Sequence, residues 1–438
     1  MISNHEIELV RNGLKTAQEA GAQKVRARLV KSEEDLVATL NGEVDRVTHC
    51  ADCSLSLALF VDGRFGNFST NKLDPASLEN FIRESVEITR MISEDDCRDL
   101  PDPQRYCRNA TEGNELGASD PFRAEVSPEM RSQIAIAASV FDDGILSEEG
   151  EYSDSIYEVL VMDSNGLFCR HCETSFDYAV ELTIEHEGEK YSGYYWDSSA
   201  HFSELKAGEC GMKALERAKA QIGSAPAESG RYNMVVSSDV ASKLVSPILR
   251  ALNAFAIQQN NSFLMDSVGK KLFPEGMHIV DLPHIKGSCC SKLFDSEGVA
   301  TSESAIIEAG TVRQYFVNTY MSNKTGLAPT SEDATRPKLM PWPKSGLDRE
   351  SIMEMCSDGI LVTEFNGGNC NSTTGDFSYG IEGFLFKDGK IERPVSEMLV
   401  TGNFISLWNS LLAAGDDARP CMSKLIPTLA FSNVDFSG

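Results

Sequence analysis

The chain has 438 residues, 41% of them hydrophobic and 24% charged, with a formal net charge of −26. That composition belongs to a folded globular protein with a sizeable core and room for two or three domains, and it excludes a disordered or fibrous chain. A surface this acidic repels nucleic-acid phosphates, and no Lys/Arg cluster interrupts it, so direct DNA binding is set aside and solubility is the plain reading of the charge.

In chain order, residues 5–20 carry a helical stripe of Ile7, Val10, Leu14 and Ala17, with Asn4 as the expected cap. KVRARLV alternates, placing Val25, Ala27 and Leu29 on one side of a strand and Arg26 and Arg28 on the other. Asn41-Gly42 and Asp62-Gly63 predict turns. Asp74-Pro75 and Ser127-Pro128 each place a capping residue before a proline at the first helical position, the second opening a helix whose inward residues run to Phe141. The stretches from His49 (HCADCSLSLALFVDGRFGNF) and His171 (HCETSFDYAVELTIEHEGEKYSGY) share a His-Cys start, an alternating strand, a polar turn and a return strand. They read as two copies of a hairpin in one antiparallel sheet facing helices.

GSAPAESGRYN is small, polar and rich in Pro and Gly, and it follows a helix ending near Ile222. The expected division is an N-terminal α+β domain over 1–223, an antiparallel sheet with packed helices, and a β-rich C-terminal domain with a few helices over 224–438. Beyond the division, Asp239 is expected to cap a helix bearing Val240 to Leu252. Pro247 either kinks that helix or starts a second one behind Ser246. Short strands follow, with a hairpin at Asp388-Gly389, an aperiodic loop over 323–346 and a helix near Ile405–Ala414.

No apolar run is long enough to cross a membrane, and MISNHEIELV lacks the features of a signal peptide. A cytoplasmic location with reduced thiols is expected for the twelve Cys. Cys50/Cys53 and Cys169/Cys172 have metal-ligand spacing, which leaves open a shared zinc site or four small packing residues. His186-Glu187 has no second His one turn later and lies in a polar turn, so it does not make a zinc-peptidase helix. NSTTGDFSYG (371–380) misses a phosphate loop because Ile381 and Glu382 stand where Lys and Ser/Thr are needed. It misses a nucleophile elbow by one position around Ser378.

Three C-terminal stretches, SFLMDSVGKKLFPEGMHIVDLPH (262–284), FDSEGVAT (294–301) and NSTTGDFSYGIEGFLFKDGKIERPVSEMLVTGN (371–403), resemble the TldD/PmbA family, the "modulator of DNA gyrase" proteins also described as peptidases. RFGNFSTNKLDPASLENFI (64–82) and SFDYAVEL (175–182) extend the resemblance to most of the chain. One branch carries His-Glu-x-x-x-His on a helix, plus a later Cys, for zinc. The PmbA, or TldE, branch lacks these ligands and pairs with a TldD-type protein. Here the slots fall at Ser246, Pro247 and Ala251, and Cys370 stands near the place of the Cys. The resemblance therefore implies a PmbA/TldE-like subunit with no catalytic residue, metal or cofactor of its own, helping a TldD-type partner to enclose an unfolded peptide. Asn369, Thr374, Asp376, Ser378 and Asn403 are its substrate-groove candidates, with turn capping as the competing role of Asp376 and Asn403. The alternative is a homodimeric binding or regulatory protein without protease activity.

Overall fold

The computed structural model describes residues 2–438. The first half contains α1 (Asn4–Glu19), β1 (Lys24–Leu40), β2 (Glu43–Val61), β3 (Arg64–Thr70), α2 (Pro75–Thr89), α3 (Pro128–Ala137), β4 (Ile145–Asp163), β5 (Phe168–His186), β6 (Glu189–Ser199) and α4 (Ala207–Ala220). Its six strands form one antiparallel sheet in the order β3-β2-β1-β4-β5-β6. Two helix–three strands–helix units thus meet at the central β1–β4 pair. The internal repeat is larger than the predicted hairpins, and it is out of step with the shared His-Cys starts. His49 precedes the Asp62-Gly63 turn by 13 residues (62 − 49), whereas His171 precedes the equivalent Glu187-Gly188 turn by 16 (187 − 171).

Local chemistry sets the hairpins. Asn41-Gly42, Asp62-Gly63 and Glu187-Gly188 all have positive φ at both positions (50° and 78°, 50° and 73°, 52° and 87°), the geometry whose twist matches that of the flanking strands. The α2 and α3 starts are capped as expected, Asp74 accepting from Ser77 N–H and Ser127 from Met130 N–H. At α1 the cap is Ser3 rather than Asn4, because Ser3 and Glu6 bond reciprocally in a capping box. Phe141 lies beyond the end of α3 and is 74% exposed, so it does not continue that helix's inner face.

The helices cover one face of the sheet. Val25, Ala27, Leu29 and Leu160 pack with α1 and α2, while Val37, Val180 and Leu182 pack with α3 and α4. The opposite face, with Val30, Val159, Val161 and Cys169, is covered by Tyr106, Cys107 and the second half's Phe294. At the centre, Asp35 and Asp154 face each other in register across β1 and β4. Two arginines reconcile these like charges. Arg131 clamps the fully buried Asp154 at 2.6 and 2.8 Å and lies 3.0 Å from Asp35. Arg123 lies 3.1 Å from Asp154 and 3.0 Å from Asp35.

The second half contains β7 (Gly230–Val236), α5 (Ser242–Ala251), α6 (Ala254–Gln258), β8 (Ile279–Asp281), β9 (Ser304–Glu308), β10 (Thr311–Val312), α7 (Thr319–Thr325), β11 (Pro337–Leu339), α8 (Arg349–Cys356), β12 (Gly359–Cys370), β13 (Asp376–Lys387), β14 (Lys390–Asn403), α9 (Phe404–Trp408), β15 (Leu411–Ala414) and β16 (Leu429–Ser437). A small sheet has the order β10-β9-β8-β11, and a larger one β14-β13-β12-β7-β16-β15. Leu399–Thr401 of β14 also pair with Asp435–Ser437 of β16, so the larger sheet curls and closes at that end. α5 and α9 pack on its inner face, and α8 packs on the other through Ile352 and Met353. The fold class is the expected α+β.

Several local expectations change in this half. α5 runs through Pro247 as one helix, and the next helix starts at Ala254 behind Asn253. Asp239 caps nothing. Its carboxylate instead pairs with Arg217 and Arg419, partners distant in sequence. The aperiodic 323–346 segment contributes α7's end and β11, because Pro337–Leu339 pair with β8. The helix near Ile405–Ala414 is the five-residue α9 followed by β15, since Leu411–Ala414 find a ladder partner in β16.

Candidate functional site

The helix that carries the metal slots is an amphipathic core helix. Leu244, Val245, Ile248, Leu249 and Ala251 of α5 are buried. Ser246 turns its hydroxyl back to Ser242 O at 2.8 Å, the usual fate of a mid-helix serine. Pro247 offers a hydrocarbon ring, and Ala251 a buried methyl whose residue's carbonyl accepts from Ser262 Oγ at 2.5 Å. Zinc takes imidazole, thiolate or carboxylate ligands in a tetrahedral set. Cys370, the cysteine expected near the ligand position, is a half-buried thiol pushed up by burial and therefore held protonated, with the Arg250 cation opposing that shift. One protonated thiol beside an arginine does not fit a zinc centre. Among the described residues no group of three potential ligands converges anywhere.

The cysteine pairs do not rescue a shared site. Cys50 and Cys53 are on β2, Cys169 and Cys172 on β5, with β1 and β4 between. Three strand spacings put them about 14 Å apart, and residues three apart on a strand point to opposite faces. Cys50 is exposed, while Cys169 and Cys172 are buried packing residues.

NSTTG forms the turn from β12 into β13, and GDFS begins an internal strand rather than an edge. Three of the five groove candidates are fastened to one another. Thr374 Oγ1 donates to Asp376 Oδ2 at 2.6 Å, and Asn403 Nδ2 donates to Thr374 O at 2.8 Å and to Asp376 Oδ1 at 2.9 Å. Asn403 Oδ1 also caps α9 by accepting from Ile405 N–H at 3.0 Å. The Thr374 hydroxyl, then the Asn403 amide, hold the Asp376 carboxyl below its ordinary range.

Asn369 and Ser378 differ from those three. They face each other across β12 and β13, are exposed, and make no side-chain hydrogen bond among the described residues. Phe377 and Tyr379 alternate inward, their rings 5.4 Å apart and stacked at 21°. Beside Asn369 a bulge is formed by Gly367 and Gly368. Gly368 has φ +88°, and a Cβ there would lie 2.1 Å from Ser378 O. Strand addition to β14 at 399–401 finds no free edge, because β16 already occupies it.

Sequence reasoning missed a basic face beside Cys370. Lys243 Nζ sits 5.1 Å from the centroid of the Tyr379 ring, and the Arg250 charge acts on both Cys370 and Tyr379. The signal was present, since residues 243, 247 and 250 recur at the spacing of one helix face.

Three family models match the chain in succession: PmbA/TldA metallopeptidase domain 1 over residues 25–89, the central domain over 123–222 and the C-terminal domain over 229–438. Over 406 residues the chain is 28% identical to the metalloprotease PmbA of Escherichia coli O157:H7, a match that covers 90% of this chain and 88% of that one. It superposes with a TM-score of 0.95 and 37% identity on a crystal structure from Bacteroides thetaiotaomicron, described as a candidate modulator of DNA gyrase, covering 100% of both chains. TldE of Thermococcus kodakarensis matches with a TM-score of 0.83 at 18% identity over 98% of this chain and 100% of that one, a likeness of fold.

Proposed function

The chain belongs to the PmbA/TldD family of metallopeptidases, and from that premise we propose that it is the PmbA/TldE-type subunit of a peptide-processing protease, without catalytic zinc of its own. The observation that carries this reading is the metal slot of α5, filled by a back-bonded serine, a proline and a buried alanine. The chain's contribution is then a binding surface. A TldD-type partner supplies the zinc, and the β12–β14 hairpins help to hold an unfolded peptide. Within that surface Asn369 and Ser378 are the residues with hydrogen-bonding capacity to spare, while Thr374, Asp376 and Asn403 shape the turn.

We place the subunit in the cytoplasm and divide it at 223/224, between the helix α4 and the strand β7. No helix is long and apolar enough to cross a membrane.

The test is co-expression with a TldD-type partner and an assay of unfolded-peptide cleavage. The reading expects a complex whose cleavage needs both chains, and sub-stoichiometric zinc in this chain alone. A complex that cleaves equally well without this chain overturns it. Size-exclusion chromatography addresses the homodimeric regulator, which predicts a stable dimer indifferent to the partner.

A further inference from the structure

Between the helix-free face of the first sheet and the loops of the second half lies a cavity of about 380 Å³, at the small end of the usual range for ligand pockets. Its floor is Arg28, Tyr157, Val159 and Val161 of β1 and β4 with His171 of β5, whose Nε2 lies 3.3 Å from Glu173 Oε2, and its walls come from residues 290–296, 332–337 and 423–424. None of the α5 slots or groove candidates lines it.

The charges around it divide by element. The floor contributes Arg28, held by a 2.6 Å bond from Nη2 to the Tyr157 hydroxyl, and no carboxylate lines it there. The wall and mouth carry Lys292 and Lys424, and the rim carries Asp295, Glu332 and Asp333. Arg28, Lys292 and Lys424 form no ion pair among the described residues, in a protein whose net charge is −26. On the rim, Glu332 is fixed by Ser296 N–H at 2.7 Å and Ser296 Oγ–H at 2.6 Å.

This mixture narrows the ligand. A simple anion would meet the Glu332 and Asp333 carboxylates, and a simple cation three unpaired bases. A metal would need three converging donors, which no group here provides. A molecule with both charges satisfies both sets, and Val159, Val161 and Phe294 give an apolar surface to a side chain between them.

We propose that this cavity binds a small zwitterion with a free ammonium and a free carboxylate, of the class of amino acids and unblocked dipeptides. The carboxylate meets Arg28 and Lys292, and the ammonium meets the Glu332–Asp333 rim. The proposal invokes neither partner nor hydrolysis, so it stands or falls apart from the subunit reading.

The experiment is calorimetric titration of the full chain, without partner, with phenylalanine, Ala-Phe, N-acetyl-Ala-Phe and Ala-Phe amide. Phenylalanine or Ala-Phe is expected to bind, and which of the two binds identifies the source. Blocking either end weakens binding at least about tenfold, because a charged partner in the site is left unmatched. Lys292→Met and Asp333→Asn are expected to weaken it at least about fivefold. The Lys292 side chain makes no intramolecular hydrogen bond among the described residues, and its backbone bonds to Pro283 O and Thr301 Oγ1 survive substitution, so its variant keeps the wild-type unfolding midpoint and reports on binding alone. The proposal is overturned if neither unblocked compound binds at millimolar concentration, if the blocked compounds bind equally well, or if Lys292→Met leaves affinity unchanged.

Discussion

The Nδ2 of Asn403 lies 2.9 Å from Oδ1 of Asp376, its partner across the β13–β14 ladder, while the Oδ1 of the same asparagine caps α9. One side chain therefore ties a turn, a strand and a helix start together. Asn403→Ala should lower stability by about 1–2 kcal/mol, the sum of a lost cap and lost turn bonds. Ser378→Ala, with no bond to lose, should leave the denaturation midpoint unchanged. If the hairpin touches peptide, Ser378→Ala lowers cleavage by the reconstituted pair. Equal urea midpoints for Asn403→Ala and wild type would remove the structural role assigned to Asn403.

Gly368 is a second point of local determination. Its φ of +88° and the 2.1 Å approach of Ser378 O to a built Cβ both exclude a side chain. Gly368→Ala should cost at least about 2 kcal/mol and disturb the β12 bulge, whereas Ala at Gly166, where nothing lies within 4 Å, meets only the backbone cost of positive φ. Paired thermal melts of the two variants check this, and equal losses would refute the steric account.

At the centre of the first sheet, Asp154→Asn removes a buried charge that two arginines share. Breaking one partner of such a cluster leaves the others uncompensated, at a cost of about 3–5 kcal/mol. Urea titration of the variant should show a large fall in midpoint. A loss below about 1 kcal/mol would mean that the cluster is solvated in solution.

Asp295 is pushed up to about 7, first by burial and then by Glu332 and Glu297. In the unfolded chain this carboxyl ionises near pH ~4. Between these values the folded state holds the extra proton, so this group's contribution makes stability fall as pH rises from about 4 to 7. Asn at 295 keeps an oxygen to accept from Glu297 N–H at 2.9 Å and Val299 N–H at 3.0 Å, but does not ionise. Asp295→Asn should therefore gain about 1–3 kcal/mol at pH 7.5 and nothing at pH 4. Parallel stability profiles for variant and wild type would contradict the assignment.

What was legible in the sequence was local. Asn41-Gly42, Asp62-Gly63 and Asp388-Gly389 all adopt positive φ at both positions, and Asp74 and Ser127 cap their helices, because those outcomes depend on a few adjacent residues. Asp239 looked like a cap in isolation, but its partners are Arg217 and Arg419, which no window around it contains. Likewise Leu411–Ala414 followed a helical pattern until β16 offered a ladder. In the candidate site, the turn at NSTTG was readable from its Gly and Asn. The bonds that join it to Asn403 were not, because they depend on the register of β14 against β13.

The closure of the larger sheet has a consequence for biosynthesis. β7 takes β12 on one side and β16 on the other, so its neighbours are made about 130 and 200 residues after it. While the ribosome is still translating the intervening chain, Met234, Val235 and Val236 have no ladder partner, although the strands of the first sheet are already complete. A nascent chain paused between residues 240 and 350 is thus a folded front half trailing an apolar strand with two bare edges. That is the form of this protein most in need of a chaperone.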